Sequence, residues 1–397
     1  MNVRAITKDV FYVGASDRKI NLFENIYPLP TGMSYNSYLI KDKYNALIDT
    51  VDEAVASVFY KNLEVALGRE KLDYIIVNHI EPDHAATLER TFLLYPEAKL
   101  VGTAKTKVMF QRFFTTDIEN SFIVVKDNDE ISLGEHTLQF YTAPMVHWPE
   151  VMVTYEVKEK IMFSADAFGA FGSLNGLFND EVDFGNEELD EARRYYFNIV
   201  GKYGNQVISL LNKIAKLEIS LLCPLHGYVW RNNIGYFVDK YKTWGSYQPE
   251  EKGVAIIYGS IYGNTAYAAD ILSTMLREEG AEVVKVYDSS KIDVSVILAE
   301  AFRYSHIVFA SSTYNNGIYT KMENFIIDLK AHNFQNRYVA IIENGSWAPA
   351  SGKLMTEQIS TMKNLNVIPP LVTIESAVKS SSIEKLRELA KEIVKTL

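Results

Sequence analysis

The sequence predicts a two-domain protein in which a layered α+β domain precedes an open α/β domain built on a five-stranded parallel sheet. Three observations lead there. Residues 254–397 alternate regularly between apolar strand-like runs and helical stretches, the first part mixes short β-rich runs with helices, and a polar segment at Gly245–Gly253, GSYQPEEKG, separates the two patterns. A chain of 397 residues also exceeds what one ordinary core organises.

In the first part, Ser37–Ile40 and Asn45–Asp49 read as a hairpin and Asp52–Leu67 as a helix. Tyr74–Val77 is an apolar strand that ends at Asn78-His79. Lys99–Gly102, Ser121–Val125, His136–Thr142, Met152–Val157 and Lys160–Ser164 follow as strands. Asn186–Leu217 reads as one long helical stretch and Ser220–Pro224 as a strand. In the second part the strands are Val254–Tyr258, Glu282–Tyr287, His306–Ala310, Tyr338–Glu343 and Val372–Ile374. The helices between and after them are Ala266–Glu279, Val294–Phe302, Lys321–Leu329, Gly352–Leu365 and Ile383–Leu397. Such alternation makes parallel strands with helices on both faces. The expected domains are 1–248 and 252–397.

Composition narrows the function. Apolar residues make up 48% and charged residues 23% of the chain, a globular balance. The net charge is −10; residues 251–397 hold 15 basic and 16 acidic side chains, leaving 25 and 34 in residues 1–250. An acid excess argues against a nucleic-acid partner. The single cysteine, Cys223, excludes an intrachain disulfide, reads as a small buried apolar residue, and fits a reducing compartment. With no signal core and no membrane-spanning segment, a cytoplasmic location without membrane association is expected.

The sharpest chemical signal is His79-Ile-Glu81-Pro-Asp83-His84, four metal-ligating side chains within six residues, directly after an apolar strand. His147, Asp166 and His226 also follow strand-like runs, so four of the seven histidines fall at strand ends. Alone, each of these histidines would read as an ordinary strand-end residue, as His136, His306 and His332 do. Together, four imidazoles and three carboxylates suit two metal ions bridged by one carboxylate. No thiolate belongs to the set, which excludes a cysteine-rich structural zinc site. Iron, manganese and zinc all accept such donors, although the hard, anionic Glu81 stands where an imidazole would favour a zinc hydrolase.

The second signal is Ser260-Ile261-Tyr262-Gly263-Asn264-Thr265, between the first strand and first helix of the second part. Hydroxyls and backbone N–H groups at a helix N-terminus bind phosphate. Without the lysine of a Walker loop or a GxGxxG pattern, the loop suits a single phosphomonoester such as that of FMN. Ser312-Thr313-Tyr314-Asn315 with Gly317, and Asn344-Gly345-Ser346-Trp347, follow later strands and should converge on the same carboxyl edge. Tyr314 and Trp347 could cover a flavin ring.

The strand-end HxxxDH cluster followed by His, Asp and His resembles the metallo-β-lactamase superfamily, and the H-x-E-x-D-H form resembles its flavodiiron branch. The segments SYNSYLI (Ser34–Ile40) and HWPE (His147–Glu150) are also similar to that family, and the second part resembles flavodoxin. The resemblance implies an αββα metallo-β-lactamase-like domain followed by a flavodoxin-like domain. It implies His79, Glu81 and His147 on one iron, Asp83, His84 and His226 on the other, and Asp166 between them. It also implies FMN as cofactor, reduction of O2 to water or of NO to N2O, and a head-to-tail homodimer or dimer of dimers. No rubredoxin-like CxxC module follows the last helix, so a separate donor such as rubredoxin is expected. Two other functions fit parts of the pattern. One is a binuclear zinc hydrolase fused to a flavodoxin domain; the other is a non-enzymatic FMN electron carrier with a degenerate first domain.

Overall fold

A computed structural model describes residues 3–397, which form two compact units, Met1–Lys242 and Thr243–Leu397. In the first unit a seven-stranded sheet has the order Arg4–Ala5, Val10–Tyr12, Tyr38–Ile40, Ala46–Ile48, Tyr74–Ile76, Lys99–Gly102, Phe122–Val124. The first four strands pair antiparallel and the rest parallel. A five-stranded sheet of Glu130–Ser132, Thr137–Thr142, Met152–Glu156, Ile161–Phe163 and Leu221–Cys223 faces it.

Strand alternation explains the layering. Val10, Tyr12, Tyr38, Ile40, Ile48, Ile76 and Val101 from one sheet meet Leu138, Phe140, Met152, Ile161, Phe163 and Cys223 from the other in a shared core. The intervening Leu39, Leu47, Ile75 and Leu100 are also fully buried, because helices cover the opposite face. Phe59 and Leu63 of helix Ala56–Leu67 and Phe110 of helix Ala104–Phe113 are buried side chains of that helical layer. The result is the metallo-β-lactamase-like arrangement of two sheets between helices.

The hairpin, the helix ending at Leu67 and the strands Tyr74–Ile76, Lys99–Gly102, Phe122–Val124, Thr137–Thr142, Met152–Glu156, Ile161–Phe163 and Leu221–Cys223 lie where the sequence places them, whereas Glu130–Ser132 lies outside the expected strands. The single helix expected over 186–217 is instead broken. π-turns at Phe184–Glu188 and Tyr196–Val200 and a 3₁₀ turn at Gly201–Tyr203 interrupt it, leaving α-helices Leu189–Tyr195 and Gly204–Ile214. Tyr195, Tyr196, Phe197 and Val200 are all fully buried, so the chain turns to bury side chains on every side rather than along one stripe.

The second unit is an open parallel sheet with the order Val284–Asp288, Glu251–Gly259, Tyr304–Tyr314, Arg337–Asn344. Its last edge is shared by two short parallel strands: Leu365–Val367 pairs with residues 337–339, and Val372–Ile374 with residues 342–344. This is the flavodoxin-like order. The helix expected over 352–365 therefore ends early, as Ser351–Ile359, and Asn364 adopts φ +51° before the chain re-enters the sheet. Val254, Ile256, Val308, Ala340 and Ile342 form one apolar face under Leu272, Leu276, Leu386 and Leu389. Phe325, Ile326 and Leu329 of helix Thr320–Ala331 are buried as well, so helices cover both faces.

Candidate functional sites

The parallel strands of the first unit deliver their carboxyl ends to one place. After Tyr74–Ile76 the chain is clamped by Asp49, whose carboxylate accepts the backbone N–H of Asn78 (2.7 Å), its side-chain amide (2.8 Å) and the N–H of His79 (3.2 Å). Thr154 donates to the Asn78 amide oxygen at 2.7 Å. Pro82 then opens the short helix Pro82–Ala85, its fixed φ suiting the first helical position, and that turn carries Asp83 and His84. Asp166 and His226 follow the paired parallel strands Ile161–Phe163 and Leu221–Cys223.

These loops bring the seven candidate ligands into two groups: His79, Glu81, His147 and Asp166, and Asp83, His84 and His226. His79 Nε2 lies 3.1 Å from Glu81 and 3.2 Å from Asp166 Oδ2, while His147 Nε2 lies 3.0 Å and 3.3 Å from the same two atoms. The other Asp166 oxygen, Oδ1, lies 3.1 Å from His84 Nε2 and 3.8 Å from His226 Nε2. Asp83 Oδ2 closes the second group, 3.3 Å from His84 and 3.0 Å from His226. Each carboxylate oxygen of Asp166 thus addresses a different group.

The supporting contacts fix which nitrogen each imidazole presents. Glu150 accepts from His79 Nδ1 at 2.7 Å and from the N–H of Ile80 at 3.1 Å. The Ser34 carbonyl accepts from His226 Nδ1 at 2.6 Å. Both arrangements leave Nε2 facing the carboxylates, the usual outer support of a metal-binding histidine. The segments Ser34–Ile40 and His147–Glu150 gain a physical role here. Asn36 donates to the carbonyls of Pro224 and Gly227 at 2.9 Å each, and Tyr38 donates to Pro224 at 2.6 Å. Gly227 (φ +77°) turns the chain directly after His226, where an added Cβ would meet the Ala170 backbone at 3.0 Å. His84 differs from His79 and His226 in that its Nδ1 has no such partner.

Burial alone would keep this set neutral, but the carboxylates outweigh it. Burial lowers the pKa of His147, yet Asp166 and Glu81 push it up to about 9. His79 and His84 are likewise held above the ordinary imidazole value against burial by neighbouring carboxylates. Burial raises Glu81, but its hydrogen bonds with His147 and His79 bring it down to about 2. Protons on His79, His84 and His147 therefore balance the neighbouring carboxylates, and metal cations would displace them. Asp83 Oδ1, His84 Nε2 and Asp166 Oδ1 are buried without a well-aligned hydrogen bond. Buried atoms of this kind need partners, and two cations provide them for a mixed imidazole and carboxylate set.

Aromatic rings line the remaining side. Phe23, Tyr35 and Tyr195 meet His226 edge-on at 5.5, 5.6 and 5.6 Å, and Trp148 meets His79 at 5.4 Å. The buried Tyr195 phenol is held in its protonated form by burial, and its oxygen has no hydrogen-bond partner among the described residues. Asp49, Tyr35 and Tyr195 lie outside the sequence-derived set, because each reaches the site from a separate part of the chain. His136, His306 and His332 are placed elsewhere: His136 is paired with Glu156, His306 is stacked on Tyr338, and His332 is bonded to the Asp328 carbonyl.

In the second unit a cavity of about 570 Å³ opens at the carboxyl edge of the sheet. Ser260, Ile261, Tyr262, Asn264 and Thr265 line one side; Ser312, Thr313, Tyr314 and Asn315 a second; Asn344, Gly345, Ser346 and Trp347 a third. Gly263 and Gly317 shape the walls instead. Gly263 (φ +94°) turns the chain into helix Asn264–Glu278, and Gly317 pairs with Tyr314 in a small hairpin. Asn316, Ala348 and Ser376 also line the cavity. Ser376 donates to Ser346 Oγ at 2.8 Å, and its carbonyl accepts from the Asn344 amide at 2.9 Å.

No side chain caps helix Asn264–Glu278, so its first N–H groups remain for a phosphate, and Thr265 is tied to Ser312 at 2.8 Å beneath them. Tyr262 and Trp347 are 93% and 90% exposed, so apolar rings stand at the mouth with nothing of this unit covering them. A neutral, hydroxyl-rich cradle with free helix N–H groups and aromatic walls fits the phosphate and ring of FMN.

The pattern of the ODP family beta lactamase matches residues 33–227, and that of flavodoxin matches residues 256–363. The nitric oxide reductase of Moorella thermoacetica is 30% identical to this chain, over 98% of this chain and 97% of its own length. The anaerobic nitric oxide reductase flavorubredoxin of Klebsiella pneumoniae is 32% identical over 86% of this chain and 72% of its own. The structure of rubredoxin oxygen:oxidoreductase from Desulfovibrio gigas superposes with a TM-score of 0.93 at 27% identity, covering 100% of this chain and 98% of that one. With a metallo-β-lactamase-like unit that gathers two ligand groups about one carboxylate, a flavodoxin unit with an FMN cradle, and relatives matched from end to end, the chain belongs to the flavodiiron proteins and is an oxidoreductase with FMN and a di-iron centre as its cofactors.

Proposed function

We propose that the protein reduces a diatomic gas, O2 to water or NO to N2O, at two irons held by the seven side chains of the first unit. His79, Glu81 and His147 would hold one iron and Asp83, His84 and His226 the other, with Asp166 between the two groups. The observation that carries this reading is the division of the Asp166 oxygens between the two groups. When bound, two ferrous ions and a reduced FMN supply four electrons together with open positions for the gas. Four electrons and four protons convert O2 to two waters; two electrons and two protons convert two NO to N2O and one water.

The chain's own residues prepare that chemistry. Glu150 and the Ser34 carbonyl hold the His79 and His226 rings so that Nε2 faces inward. With two divalent ions bound, the three carboxylates would leave a net charge of about +1. Tyr195 keeps its proton beside the site. Ser260, Thr265, Ser312 and the helix N-terminus would hold the FMN phosphate, with Tyr314 and Trp347 at its ring.

The di-iron chemistry then belongs to residues 1–248 and the flavin chemistry to residues 252–397, since the candidate ligands fall in the first range and the flavin cradle in the second. With them we propose a protein electron donor such as rubredoxin, supported by the name of the Desulfovibrio gigas relative. A head-to-tail homodimer or dimer of dimers and a cytoplasmic location belong to the same reading. Among the described residues no helix is long and apolar enough to cross a membrane. The deciding experiment combines metal analysis with anaerobic stopped-flow of the reduced protein against each gas. Two irons and one FMN per chain with rapid reoxidation are expected; bound zinc with hydrolytic activity and no reoxidation would overturn the reading.

A further inference from the structure

The first unit holds a second cavity that the proposed chemistry does not use. Its volume is about 320 Å³, and it is lined from strand Leu221–Cys223, helix Gly204–Ile214, helix Ile234–Gly245 and the loop after Asp166. Leu211, Ile214, Leu222 and Val238 give it an apolar wall. Its charged lining residues, Asp239 and Lys242, pair with each other at 3.0 Å, and both are exposed. A metabolite or cofactor site combines apolar walls with a few convergent polar groups; here the charged pair satisfies itself at the rim.

Two lining residues stand close in the chain to candidate ligands. Leu222 precedes His226 by four residues on the same strand and loop, and Phe168 follows Asp166 by two. Phe168 adopts φ +68°, which a bulky side chain rarely does. It is held there by a hydrogen bond from its N–H to the Tyr241 hydroxyl at 2.6 Å and by stacking on the Tyr241 ring at 4.2 Å. A strained backbone kept in place by such contacts, beside a reactive centre, marks a positioned side chain. Phe168 thus lines the cavity from the loop that carries Asp166.

We propose that this cavity is an antechamber for the gaseous substrate, holding O2 or NO in apolar space with Phe168 as the partition toward Asp166. The inference rests on the reading of the protein as a gas reductase. Enclosed apolar cavities of about 150 Å³ take up xenon or benzene; this one is larger, and its exposed lining residues Ala215, Gly235, Asp239 and Lys242 open it to solvent, as an entrance from bulk water must be.

The test uses the full chain loaded with iron and FMN, with xenon as the probe. Crystals of the wild type under xenon pressure should show xenon against Leu222 and Val238, and Val238→Trp should exclude it. In the same variant kcat/KM for the gas should fall roughly tenfold with kcat, iron and flavin unchanged, the pattern of impaired access. Ile219→Trp, on the loop, serves the same purpose should Val238→Trp fail to fold. A wild-type cavity that takes no xenon, or a plugged cavity with unchanged kcat/KM, overturns the antechamber. A wild type that binds xenon but reduces neither gas overturns the reductase reading instead.

Discussion

Asp166 concentrates the logic of the metal site in one side chain, because its two oxygens face two different sets of imidazoles. Asp166→Ala should therefore lose both irons while the flavin stays bound. Metal analysis checks this, and retention of one full equivalent would show that the second group stands without a bridge. Glu150→Gln is subtler. It keeps the shape but weakens the contact that orients His79, and such outer partners are worth about 10–100-fold in metal affinity. A competition titration with a chelator should show that loss. These two residues also show what sequence reveals. The seven candidate ligands are legible because metal chemistry requires particular residue types and strand ends place them. Asp49 is not, since it acts on the backbone N–H groups of Asn78 and His79 from a strand about thirty positions earlier. Ser376 escapes for the same reason, lying beyond the fifth strand and reaching Ser346 only once the sheet has formed.

At the scale of elements, alternation and turn chemistry predicted the strands. The stretch 186–217 departs from expectation where tertiary burial overrides helical periodicity, and helix Ser351–Ile359 ends early where the chain re-enters the sheet as Leu365–Val367. A buried pair on another element offers a pH test. Glu156, at 3.0 Å, holds the His136 imidazolium and raises its pKa above the ordinary 6.5, helped by Asp9 against burial and Lys158. A raised folded-state value stabilises the protein fully below the unfolded pKa, and that contribution disappears as pH rises through the folded one. His136→Gln should thus cost more stability near pH 6 than near pH 9 in urea unfolding; a pH-independent difference would assign the residue to packing alone. In the flavin cradle, Thr265→Ala removes the hydroxyl bound to Ser312 at the helix N-terminus. One hydrogen bond of about 0.5–1.5 kcal/mol corresponds to a Kd for FMN weaker by roughly two- to tenfold, with iron content unchanged. Fluorescence titration of the apoprotein measures it.

On the scale of the whole molecule, each candidate cofactor site lies in a unit with its own core. The seven candidate ligands sit near strand ends around one apolar cluster, and the candidate flavin cradle lies at the edge of another. A ligand that binds only the folded state stabilises the unit that holds it, by about 2.7 kcal/mol at a hundred times its Kd. Iron does the same for the first unit, where its removal leaves buried carboxylates and imidazoles to balance charge with protons alone. Calorimetry of the full chain should therefore resolve two transitions. Adding FMN to the apoprotein should raise the midpoint of one, and a chelator should lower the other. The FMN-sensitive transition should survive in Asp166→Ala at its wild-type temperature. A single transition displaced equally by both treatments would contradict this division, because it would mean that neither core persists without the other and that the two cofactors stabilise one cooperative structure.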